Sequence, residues 1–87
     1  MKRRSKLEIY MDVMERLGEG SKSPTKLMYT TNLSWAPLQE ILNVLIKKDL
    51  VQETRRSYRR RLYALTPKGN ELMTRYKEFL KEIIQIS

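Results

Sequence analysis

Two residue types are missing from this chain, and their absence removes whole classes of chemistry. There is no cysteine. A disulfide framework and a thiolate metal site are therefore excluded. There is no histidine either, which removes the usual zinc ligands and the commonest general base. Glycine and proline are scarce, three of each in 87 residues, so the composition is not that of a disordered or low-complexity chain. No run approaches 18 apolar residues, so no membrane span is expected. The N-terminal stretch Met1 to Glu8 has no apolar segment behind it and shows no sign of a signal peptide. The chain is read as cytoplasmic. Neither a metal nor a cofactor is expected, and nothing points to an enzyme: there is no glycine-rich phosphate loop and no carboxylate pair in an evident pocket.

What remains is basic. Lys and Arg number 18 against 10 Asp and Glu, for a net charge of +8. A surplus of this size favours a polyanionic partner. The charge is concentrated in two places. Lys2, Arg3, Arg4 and Lys6 form an N-terminal cluster, and Arg55, Arg56, Arg59, Arg60 and Arg61 form a second. The second is all arginine, holds Tyr58 and contains no acid. Guanidinium groups pair with phosphate in bidentate fashion and stack on flat surfaces, which ammonium groups do less well. A solvated face is the alternative for any charge run. The density of arginine here favours a binding role.

The length suits one domain, residues 1–87, with a modest core. The apolar spacing predicts four helices and a hairpin. The first helix spans about Lys6 to Leu17, opened by Ser5 and Glu8 at capping-box spacing and closed by Gly18 and Gly20. The second is short, about Pro24 to Thr30, with Ser23 as N-cap and Leu27 and Met28 inward. Ser21 to Ser23 form a candidate edge strand. The third runs from about Trp35 to Lys48 with Ser34 as N-cap. Its apolar stripe is Leu38, Ile41, Leu42 and Leu45, leaving Trp35, Ala36, Gln39, Glu40, Asn43 and Lys47 on the other side. Only Thr31-Asn32-Leu33 separates the second and third helices, a helix-turn-helix spacing. A strand from Leu50 to about Arg55, a turn near Arg56 to Arg59, and a strand from Arg60 to Leu65 make a hairpin with arginines at its tip.

The fourth helix starts at Thr66-Pro67 and reaches about Ile84. Leu72, Tyr76, Phe79, Ile83 and Ile86 are spaced 4, 3, 4 and 3, the seam of a two-stranded coiled coil. Met73, Leu80 and Ile84 lie beside it. One small domain cannot cover so long an apolar face, so residues 5–70 are expected to form the core and 71–87 a dimerisation helix of a homodimer.

The order of helix, helix, turn, helix, basic hairpin, helix is that of a winged helix-turn-helix domain: an α+β class, mostly helical, with a β-hairpin wing and a long C-terminal helix. The residues carry a narrower resemblance. Tyr29-Thr30-Thr31-Asn32-Leu33-Ser34-Trp35, then Leu38-Gln39-Glu40-Ile41-Leu42 and Leu45, then Leu50-Val51, then Tyr63-Ala64-Leu65-Thr66-Pro67-Lys68-Gly69 resemble the archaeal winged-helix transcriptional regulators, including members from archaeal viruses. The likeness covers about residues 5 to 80. The Leu-Thr-x-Lys-Gly element marks the fold, and Asn-Leu-Ser-Trp is the narrower signal. Asp49 departs from the pattern, standing where a glycine usually ends the third helix; an aspartate tolerates the left-handed conformation at some cost.

The resemblance implies double-stranded DNA as partner, in the nucleoid or, for a viral protein, in the host cytoplasm. The third helix would enter the major groove and the wing would reach phosphates or the minor groove. Gln39, Glu40 and Asn43 can pair with base edges, with Ser34, Trp35 and Ala36 at the helix start and Lys47 at its end. Solvated polar residues are the alternative for that row, and simple packing on neighbours is the alternative for Trp35. The hydroxyls of Tyr29, Thr30 and Thr31, and Lys26, would hold the backbone. The arginines would supply affinity through counterion release. Other classes of partner remain open on the sequence: sequence-independent architectural binding to DNA or RNA, and docking on a larger protein assembly.

Overall fold

A computed structural model describes residues 5–57 and 60–86, without the side chains of 56, 57 and 86. Its elements are α1 (Lys6–Gly18), α2 (Pro24–Thr31), α3 (Trp35–Lys47), β1 (Val51–Ser57), β2 (Arg60–Leu65) and α4 (Pro67–Ile86). These match the expected order, with ends shifted by one or two residues.

Local chemistry explains most of the boundaries. The α1 capping box forms: the Glu8 N–H donates to Ser5 Oγ at 3.1 Å and the Ser5 N–H donates to Glu8 Oε1 at 3.5 Å. Ser23 caps α2 by accepting from the Lys26 N–H at 3.2 Å, with Pro24 in the first turn. Between α2 and α3 the chain reverses at Asn32, which is left-handed at φ 57°. Asparagine adopts that conformation more readily than other side chains. Ser34 precedes α3 but makes no side-chain capping bond. Asp49 is also left-handed, at φ 60°, as its place in the pattern requires.

The hairpin is antiparallel, pairing Val51 with Leu65, Glu53 with Tyr63 and Arg55 with Arg61. The register then steps to Ser57 with Arg60, which makes Arg56 the extra residue of a β-bulge. β1 therefore continues to Ser57 rather than ending near Arg55. The expected edge strand at Ser21 to Ser23 reduces to one bridge. There Lys22 and Tyr63 exchange backbone bonds of 2.9 and 2.8 Å, which fastens the α1–α2 loop to the base of the hairpin.

The core is one cluster: Val13, Met14 and Leu17 of α1, Leu27 of α2, Leu38, Ile41, Leu42 and Leu45 of α3, Val51, Tyr63 and Leu65 of the hairpin, and Met73 of α4. Each such side chain contributes roughly 1.5–3 kcal/mol on burial. The α3 stripe is the one its spacing predicts. In β2, Tyr63 and Leu65 are buried while Leu62 and Ala64 are only half-buried, the period-two alternation of a strand with one face on a core. Thr66 locks α4 to the rest. Its Oγ1 donates to the Asp49 carbonyl at 2.6 Å and accepts from the Gly69 N–H at 3.0 Å, while its own N–H donates to the Leu50 carbonyl at 3.0 Å. The molecule measures 49 × 34 × 20 Å, and the 20-residue α4 alone is about 30 Å long. From residue 77 to 85 every α4 side chain is exposed.

Candidate nucleic-acid interface

The start of α3 and the hairpin lie next to each other. An open cleft between them is lined by Ser23, Pro24 and Thr25 from the start of α2, Trp35 from the start of α3, and Arg55, Arg60, Arg61 and Leu62 from the hairpin. Ala36, Gln39, Glu40, Asn43 and Lys47 are all exposed along α3. They sit on the side opposite Leu38, Ile41, Leu42 and Leu45, because three- and four-residue steps keep a row on one face. Trp35 is half-buried and packs against the core. Its body follows the packing reading, and its remaining surface faces the cleft.

In α2, Lys26 is exposed and Tyr29 is 85% exposed, so both can reach a partner. Thr31 cannot, which corrects its expected place on the phosphate-facing surface. It is 1% exposed and its hydroxyl donates to the Leu27 carbonyl. The physical reason is that Thr31 ends α2 on its core face, four residues after Leu27. Thr30 is half-buried, and its hydroxyl donates to the Lys26 carbonyl at 2.9 Å. Phosphate oxygens accept hydrogen bonds and do not donate them, so Thr30 would have to surrender that bond to hold one. Ser34, exposed and making no capping bond, is the better-placed hydroxyl.

Arg55, Arg60 and Arg61 are exposed on the hairpin. Arg56 lies at the bulge, with its side chain outside the described residues, as are Tyr58, Arg59 and the N-terminal cluster Lys2, Arg3 and Arg4. The hairpin also holds an acid that the composition of the tip did not reveal. Glu53 Oε1 lies 3.7 Å from Arg61 Nε. The two are diagonal neighbours across the strands, a relation fixed by the Glu53–Tyr63 pairing. The hairpin register was the signal that could have found it. The same group surrounds Tyr63, whose phenol is pushed above its ordinary pKa by burial and by the Glu53 charge, against a hydrogen bond and the positive charge of Arg61.

On α4 the expected seam divides. Leu72, Phe79 and Ile83 are 43, 58 and 47% exposed, and Leu80 and Ile84 are also exposed. Tyr76 instead packs on the core of its own domain, as does Met73. The side chain of Ile86 lies outside the described residues. Among the described residues no cluster of acids is placed to hold a metal ion, and no helix is long and apolar enough to cross a membrane.

No curated protein matches the sequence. Solved structures do resemble the fold. Sso10a-2, a DNA-binding protein from Sulfolobus solfataricus, superposes with a TM-score of 0.75 at 26% identity, covering 95% of this chain and 85% of that one. MepR, a transcription regulator of the Staphylococcus aureus multidrug efflux pump MepA, gives a TM-score of 0.83 at 16% identity over 90% of this chain and 60% of its own. ZitR of Lactococcus lactis gives 0.79 at 18% identity over 90% and 61%. At those identities the last two share the fold alone, and this chain spans about 60% of their length. Residues 3–84 match the winged helix-turn-helix family, and the chain belongs to it.

Proposed function

We propose that this chain binds double-stranded DNA as a homodimer and acts as a cytoplasmic, nucleoid-associated transcriptional regulator. The observation that carries the reading is the cleft, which sets the start of α3 beside Arg55, Arg60 and Arg61. A helix face and a basic hairpin side by side form the two-part footprint that a groove and its flanking phosphates require. The likeness to Sso10a-2, described as a DNA-binding protein, supports the same partner.

The division of labour follows from the side chains. Gln39 and Asn43 present amide groups that match adenine edges, and Glu40 presents an acceptor that suits cytosine. α3 has no cation before Lys47, so guanine is poorly read from it. Ser34, Tyr29 and Lys26 hold the backbone. The wing, including Arg56, Tyr58 and Arg59 by sequence, supplies affinity. Two wings and two N-terminal arms together would neutralise roughly 6–10 phosphates in a dimer.

The dimer uses Leu72, Phe79, Leu80, Ile83 and Ile86, with Tyr76 shared between the seam and its own core.

The test is salt dependence. Binding of a duplex measured from 50 to 200 mM salt is expected to give a log–log slope near −0.9 per phosphate neutralised. Replacing Arg55 and Arg60 with Ala is expected to weaken binding on all sequences and to flatten the slope by about 0.9 for each phosphate no longer neutralised. A slope unchanged by these substitutions, or stronger binding to structured RNA at equal salt, would overturn the reading.

A further inference from the structure

We infer that the cleft between the hairpin and the starts of α2 and α3 binds a small organic anion built on a flat ring. The cleft has a volume of about 860 Å³, within the range of small-molecule sites. Its chemistry is mixed. Trp35, Pro24 and Leu62 contribute apolar surface, and Arg55, Arg60 and Arg61 contribute guanidinium groups. No carboxylate lines the space among the described residues, which disfavours a cation. Glu53 engages Arg61 at 3.7 Å and reduces what that arginine offers. Arg55 and Arg60 are exposed and line the cleft, so these two present their charge to it.

Guanidinium groups pair with carboxylate or phosphate through two parallel bonds. An indole surface takes a flat ring in offset or edge-on contact. A bare inorganic anion would leave the apolar side chains without a contact, and a neutral ring would leave the arginines without one. A planar ring bearing a carboxylate or a phosphate uses both. Such a ligand is an aryl carboxylate or a nucleoside monophosphate. Because Arg55 and Arg60 are also the proposed phosphate contacts, the ligand and DNA compete. That second statement rests on the DNA reading, whereas binding to the cleft does not.

Trp35 is the one tryptophan of the chain, so its indole N–H resonance in a ¹⁵N-labelled sample of the full chain reports the site alone. The probes are benzoate, adenosine monophosphate, acetate, inorganic phosphate and benzyl alcohol, at matched ionic strength. Benzoate or adenosine monophosphate is expected to shift the resonance saturably, and the tighter of the two identifies the source as an aryl acid or a nucleotide. Acetate, phosphate and benzyl alcohol are expected to bind at least tenfold more weakly. The double variant R55A/R60A, with an unchanged unfolding transition as control, is expected to lose at least tenfold in affinity for the better probe. Equal shifts by acetate or phosphate would leave only a charged surface and overturn the site. So would equal shifts by benzyl alcohol, or an unchanged affinity in the variant. Competition is read from duplex binding: with the better probe at ten times its dissociation constant, apparent duplex affinity is expected to fall about tenfold. An unchanged duplex affinity would overturn the competition. Failure of the chain to bind duplex at all would overturn the proposed function, and the indole titration would still decide the site.

Discussion

Replacing Gly69 with Ala tests how α4 is attached. On an exposed helix this substitution stabilises by up to about 1 kcal/mol, because alanine is the better helix former. Here the packing predicts the opposite sign. A Cβ at residue 69 would stand 2.1 Å from the Leu50 carbonyl oxygen, 3.1 Å from its carbon and 3.3 Å from Leu65 Cδ2. The oxygen cannot simply turn away, since it accepts the Thr66 N–H at 3.0 Å. Relief requires α4 to withdraw by about 1 Å, which loosens the packing of Met73 and Leu65 and strains the Thr66 bonds. Overpacking of this kind costs about 1–3 kcal/mol or more. Net of the helix gain, Gly69→Ala is expected to destabilise by about 2 kcal/mol. A chain of this length is stable by only about 4–13 kcal/mol, so the midpoint of thermal unfolding should drop by roughly 10–15 °C. Circular dichroism at fixed protein concentration measures it, the concentration being held because dimerisation would shift the midpoint. Gly18→Ala is the control. Its Cβ would meet only Leu65 Cδ1 at 3.6 Å, an ordinary contact, so little change is expected. A Gly69→Ala variant as stable as the parent would refute the packing reasoning.

Four further outcomes follow from the same structure. Ile83→Lys places a charge on the proposed seam at a side chain 47% exposed in the monomer; sedimentation is expected to show a monomer with a native circular dichroism spectrum, and a persistent dimer would mean the seam is misassigned. Thr66→Val removes the bond to Asp49 and the cap to Gly69, for an expected loss of about 1–3 kcal/mol in a denaturant titration. Asp49→Gly relieves a left-handed aspartate at φ 60° and is expected to stabilise by up to about 1 kcal/mol in the same titration. The Tyr63 phenol is held above its ordinary value of 10.0, so the folded state keeps its proton where the unfolded state loses it. The stability from this group is fully present below pH 10 and is lost as pH rises through the folded value. Tyr63→Phe should flatten the alkaline part of a stability–pH profile, and an identical profile would count against the shift.

Much of this protein was legible locally. Ser5 with Glu8, Ser23 with Pro24, and Thr66 with Pro67 announce helix starts because caps and first-turn prolines act within four residues. The stripe Leu38, Ile41, Leu42 and Leu45 and the alternation of Tyr63 and Leu65 identify buried faces because helix and strand periods differ. The arginine cluster needed only composition to mark an expected polyanion-binding tip. Other features depend on what lies across the fold. Thr31 and Thr30 look alike in sequence, yet one is buried in the core and the other is at its edge, because a single helical step of 100° separates their faces. Glu53 acquires a role only when the hairpin register sets it diagonal to Arg61. Tyr76 satisfies the heptad spacing of a partner seam, but it packs on the core of its own domain. The cleft joins residues from 23 to 62 and exists only once three elements converge. Periodicity and capping are short-range and could be read from the chain alone. The Gly69–Leu50 contact, the burial of Thr31 and the cleft had to await the tertiary structure, since each is set by atoms far apart in sequence or by how whole elements are seated on one another.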